Sequence, residues 1–94
     1  MRVAFPRPGD LMAKTIYRAE YRHLVDLLRE RRESLGISQG QLAERLGWTQ
    51  QKVSFVETGA RRMDVLEYIH MARALGLSPT TAFSRAERLL GRRL

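Results

Sequence analysis

The chain has 94 residues, enough for one small domain. Hydrophobic residues make up 44% and charged residues 29%, which excludes a disordered chain. The absence of cysteine removes disulfides, thiolate metal sites and cysteine nucleophiles, and fits a reducing compartment. Net charge is +7, and arginine supplies 15 of the 17 basic residues, a balance that favours a polyanionic partner. The competing reading is a solvated surface laced with helical ion pairs. No apolar run approaches the roughly 20 residues of a membrane span, and the N-terminus lacks the continuous apolar core of a signal peptide.

Charge is unevenly placed. Residues 1–35 carry eight basic and five acidic groups, residues 36–59 two of each, and residues 60–94 seven against three. Basic flanks suited to a phosphate backbone therefore enclose a neutral centre. Residues 1–14 begin with two prolines and a glycine in the first ten positions and read as a short non-helical extension, with Met12 as an alternative natural start.

Residues 15–94 read as an all-α bundle of five helices, because no stretch alternates like a strand. The first helix is expected from about Thr15 to Leu35, with Tyr21, Leu24, Val25, Leu28 and Leu35 on one stripe. Gly36, Gly47, Gly59 and Gly76 each follow a helical segment, where a left-handed residue ends a helix. Ser38 with Gln41 forms a capping-box pattern that opens a second helix, Gln39 to Leu46. Thr49 is a good N-cap for a third, Gln50 to Thr58, although Lys52 stands where a capping box wants Glu or Gln. Asp64 with Glu67 repeats the device before a fourth, Val65 to Leu75, expected to bury Leu66, Ile69, Ala72 and Leu75. Ser78-Pro79 opens the fifth, to about Leu90, with Phe83, Ala86 and Leu90 along one face. Met63 and Met71 read as core filler.

The second and third helices are each about two turns long and meet through Gly47-Trp48. Ala43 must be small where the third helix crosses, and Gly47 supplies positive φ at the turn. Leu42, Leu46, Trp48, Val53 and Val56 close the shared core. An ordinary αα-hairpin does not need this combination. The run SQGQLAERLGWTQQKVSFVETG, followed by LEYIHMARALGLSP, resembles the Cro/cI-type (XRE) helix-turn-helix family of bacterial and phage regulators, over roughly Leu28 to Pro79. The resemblance implies a compact, lambda-repressor-like domain with its motif at 39–58. It also implies two-fold dimers on operator DNA and a third helix in the major groove.

The side chains support the same chemistry independently. A helix N-terminus aimed into the groove presents its first residues to base edges, and glutamine amides pair with adenine N6 and N7. Gln50 and Gln51 are therefore the expected base readers, Gln51 facing guanine as readily as adenine, with Ser54 and Phe55 one turn on, where Phe55 suits a thymine methyl or packs as a rim residue. Thr49, at the helix N-terminus, suits a phosphate, and Lys52 suits the backbone or an adjacent base. By resemblance, Gln39 binds a phosphate and braces Gln50, Arg61 and Arg62 contact phosphates or the minor groove, and Arg32 and Glu57 form a partly buried structural bridge. Three departures from the family stand out: Trp48 for a smaller aliphatic, Phe55 for a polar residue, and Arg61-Arg62 before Met63-Asp64 where many relatives have proline.

His23 and His70 are far apart, so no metal site is expected, and nothing resembles a phosphate-cradling loop or an acid/base pair. The expectation is a non-enzymatic, cofactor-free regulator in the cytoplasm, of bacterial or phage origin and associated with the nucleoid. It would bind double-stranded DNA as a homodimer, through either the fifth helix with Phe83, Leu89, Leu90 and Leu94 or the first helix with its tail. No small-molecule ligand is evident, and no effector or self-cleavage domain of the kind larger relatives carry is expected, so occupancy is expected to follow its own concentration, a monomer–dimer equilibrium or a partner protein. The alternative is an antitoxin that masks a partner protein and autoregulates through DNA.

Overall fold

The computed structural model describes residues 11–93, with side-chain surroundings over residues 19–88. Five helices occupy this span: α1 (Leu11–Ser34), α2 (Gln39–Leu46), α3 (Gln50–Thr58), α4 (Val65–Ala74) and α5 (Pro79–Arg93). No strand occurs among the described residues. The expected non-helical extension 1–14 is shortened from one side, because Leu11 to Lys14 already belong to α1; residues 1–10 lie outside the described residues. Helix α5 also runs past Leu90, to Arg93.

The helix starts follow from their caps. Ser38 accepts from the Gln41 N–H while the Gln41 side chain accepts from the Ser38 N–H, a complete capping box. Asp64 and Glu67 do the same for α4. Thr49 caps α3 alone, its Oγ1 accepting from the Lys52 N–H at 3.1 Å. Between α2 and α3 the chain turns on Gly47, whose φ of 70° is a left-handed value that costs glycine nothing. The Gly47 N–H donates to the Ala43 and Glu44 carbonyls, and the next N–H, of Trp48, returns to Ala43 at 2.9 Å.

Helices α2 and α3 pack on one another and are held by α1 and α4, while α5 lies across α1 and α4. The core is Leu28 of α1, Ile37, Leu42 and Ala43 of α2 and its approach, Val53 and Val56 of α3, Met71 and Ala72 of α4, and Leu75 just after it. Burying each of the large side chains stabilises the fold by about 1.5–3 kcal/mol. Leu46, Trp48, Met63 and Tyr68 pack against its edge. Two arginines tie off the end of α4: Arg31 donates to the Leu75 carbonyl at 2.9 Å and Arg45 to that of Ala74 at 3.2 Å.

Three apolar residues depart from their expected places. Leu35 lies beyond the end of α1 and is exposed, since the helix stops at Ser34 and the chain turns there. Leu66 is 68% exposed rather than buried. At about 100° per residue it stands almost opposite Met71, Ala72 and Leu75, the side that α4 buries. Ile69, expected to be buried, is half-buried. Phe83 is 56% exposed, as its place in the expected dimer strip requires, because α5 turns Ala82 inward. The Leu90 side chain, expected on the Phe83 face, lies outside the described residues.

Candidate nucleic-acid interface

Helix α3 has a buried side and a bare side. Val53, Val56 and Glu57 point into the protein, and Gln50, Gln51, Phe55 and Thr58 point out, with Ser54 half-buried between them. The Gln50 and Gln51 carboxamides make no hydrogen bond among the described residues. Two unengaged amides on the first turn of a helix can each donate and accept at once, the requirement for reading a base edge. Phe55 adds apolar surface, 43% exposed, on the same side.

The inner side is fixed by charge as well as packing. Glu57 is buried, and its carboxylate accepts from Arg32 Nε at 2.7 Å and Nη2 at 3.0 Å. Gln39 Nε2 donates to the same carboxylate at 2.9 Å, so Gln39 is tied to Glu57 and not, as the resemblance implied, to Gln50. Arg32 also donates to the Ile37 carbonyl at 2.7 Å, linking α1 to the start of α2. The Glu57 pairing raises the Arg32 pKa further above its ordinary value. Arg22, unremarked in the sequence, pairs with Asp26 and also donates to the Glu57 carbonyl near the end of α3.

On the other flank of α3 the cations are engaged. Lys52 Nζ lies 4.1 Å from the centre of the Trp48 ring and 2.8 Å from Glu67 Oε2. Arg61 donates twice to Glu67, with both distances 3.0 Å. These cations, with the Asp64 N–H, hold the Glu67 carboxyl down at about 2, and Glu67 in return raises the Arg61 pKa. Arg62 is exposed, its guanidinium 5.4 Å from the Tyr21 ring, and the Tyr21 hydroxyl accepts from the Met63 N–H at 3.1 Å. The sequence identified Glu67 only as a capping residue. Its meeting with Lys52 crosses two helices and has no local signature.

The remaining candidates are easily placed. Thr49 is exposed at the N-terminus of α3. His23 and His70 are exposed on α1 and α4. Among the described residues no cluster of three metal-ligating side chains occurs, and no helix is long and apolar enough to cross a membrane.

Two short helices joined by a left-handed glycine, the first braced within the bundle and the second bare along its outer side, define a helix-turn-helix domain. Comparison with known proteins agrees: residues 23–83 match the family described as helix-turn-helix domain. An XRE-family-like protein from Pseudomonas syringae pv. tomato superposes with a TM-score of 0.78 at 42% identity, covering 83% of this chain and 95% of that one. A protein named as an uncharacterized HTH-type transcriptional regulator, from Methanothermobacter thermautotrophicus, is 42% identical over 50 residues, 53% of this chain and 72% of its own length. The chain belongs to the helix-turn-helix domain family, of the XRE type. These findings support a DNA-binding transcriptional regulator.

Proposed function

We propose that the protein is a non-enzymatic, sequence-specific transcriptional regulator that acts in the cytoplasm as a homodimer on a palindromic operator, with α3 lying in the major groove. The observation that carries this reading is the free pair of carboxamides, Gln50 and Gln51, on the exposed first turn of α3. Gln50 and Gln51 read base edges, Ser54 and Phe55 contact bases one turn further on, and Phe55 suits a thymine methyl. Thr49 and the N-terminus of α3 meet a phosphate, and Lys52, Arg61 and Arg62 supply positive charge along its edge. Gln39 takes a phosphate through the donor and acceptor positions that Glu57 leaves free. Glu57 faces inward against Arg32 and supports the helix rather than reading DNA.

Two-fold binding requires the recognition helices to sit about 34–36 Å apart. For the dimer contact, support comes from the apolar groove between α1, α4 and α5, lined by Tyr21, Leu24, Tyr68 and Ile69 and edged by Val65 and Phe83. Val65 and Phe83 are 72% and 56% exposed, more than a small domain usually leaves bare on adjacent helices. A second copy is the occupant that would make this contact isologous. In vitro selection of bound duplexes tests the whole reading. A two-fold symmetric site with half-sites one helical turn apart is the expected result; sequence-independent retention or none overturns it.

A further inference from the structure

Glu67 carries more contacts than a capping residue needs. Its backbone N–H is capped by Asp64, and its carboxylate accepts from the Asp64 N–H at 3.0 Å, which completes the box. The same carboxylate also holds Arg61 by two bonds of 3.0 Å and Lys52 at 2.8 Å. Lys52 belongs to α3, Arg61 to the link between α3 and α4, and Glu67 to α4 itself. The link is drawn in by its backbone too, since the Arg61 N–H donates to the Phe55 carbonyl at 3.1 Å. Glu67 therefore gathers two positive charges beside the bare side of α3, and these three side chains together keep one net positive charge.

We infer that Glu67 is a positioning residue that limits how strongly this edge of α3 attracts phosphate. By holding Lys52 and Arg61 together, it restrains sequence-independent attraction and leaves discrimination to the uncharged readers Gln50 and Gln51. This inference deepens the proposed DNA-binding function and rests on it. Lys52 is doubly engaged, by the Trp48 ring and by Glu67, so its ammonium is not free to follow any passing backbone. Each phosphate neutralised adds about −0.9 to the slope of log affinity against log salt, so releasing one net charge has a measurable signature.

The test is the salt dependence of binding to a random-sequence duplex between 50 and 200 mM salt, with thermal melts to establish folding. Glu67→Gln keeps an oxygen for the Asp64 N–H but removes the charge. It is expected to steepen the slope by about 0.9, a loss of affinity across that range about threefold greater than wild type shows. Arg61→Gln, a change at an exposed side chain, is expected to flatten the slope by a similar amount, and it reports on the clamp even if Glu67→Gln fails to fold. In a Lys52→Gln/Arg61→Gln background, Glu67→Gln should leave the slope unchanged; steepening there would mean that Glu67 repels phosphate directly and would overturn the clamp. Unchanged slopes in Glu67→Gln, or in Arg61→Gln, also overturn it while wild type still binds. A wild-type protein that binds no duplex at low salt overturns the functional reading and the clamp together.

Discussion

Arg32 and Glu57 meet across the interior as a two-bond pair, Nε to Oε2 at 2.7 Å and Nη2 to Oε1 at 3.0 Å, with side-chain exposures of 11% and 5%. A pair this enclosed gains little net stability over apolar replacements, because desolvation offsets most of the attraction. Its consequence is geometric. With Arg22 on the Glu57 carbonyl and Gln39 on the carboxylate, it sets how α3 is rotated against α1 and α2. That rotation decides which side of α3 is bare.

Breaking one half of the pair is therefore expected to be severe. Arg32→Met leaves the Glu57 carboxylate with only Gln39 and should cost about 3–5 kcal/mol in urea unfolding. The double variant Arg32→Met/Glu57→Met should recover most of that loss. A single variant as stable as wild type would show that the pair does not restrain the fold.

The carboxamides of Gln50 and Gln51 should matter to recognition alone. Gln50→Ala and Gln51→Ala are each expected to weaken binding to a selected operator by about 1–3 kcal/mol in gel shifts. Their affinity for random duplex and their melting temperatures should stay near wild type. Unchanged operator preference would remove both from the base-reading set.

Glu67 makes stability pH-dependent in acid. Its folded-state value, about 2, lies below the ordinary 4.5, so the unfolded chain takes up the proton first. Stability from this group is complete above about pH 4.5 and disappears as pH falls toward 2. Melting curves across that window should show a fall that Glu67→Gln reduces.

Gly47 has open space where a side chain would project, yet its φ is 70°. Gly47→Ala should therefore cost about 1–2 kcal/mol through backbone conformation alone, measured by urea denaturation. Gly59→Ala, at φ 86°, should cost at least as much, since the added carbon would lie 3.3 Å from Nη1 of Arg22, a side chain that Asp26 and the Glu57 carbonyl hold in place.

Phe83→Ser tests the proposed dimer contact. The side chain is mostly exposed, so the monomer should melt within about 0.5 kcal/mol of wild type. Sedimentation should nevertheless show a weaker dimer. An unaffected dimer would move the contact away from this groove.

Local sequence fixed the caps and the turn, because each depends on residues within a few positions. Ser38 with Gln41, Asp64 with Glu67, Thr49, and Gly47 at its left-handed turn all act over less than two helical turns, and so the order and approximate limits of α2 to α4 are readable without coordinates. The small Ala43 and the buried Leu42, Val53 and Val56 follow from the same short segment. What tertiary packing alone decided was orientation and partnership. Leu66 and Phe83 belong to apolar-looking helices, yet they face outward because the surrounding helices occupy other sides of α4 and α5. Gln39 bonds Glu57, and Glu67 gathers Lys52 and Arg61, across separations that no helical period encodes. Hydrogen-bonded caps are local and directional, whereas burial and long-range charge pairing depend on where every other helix comes to rest.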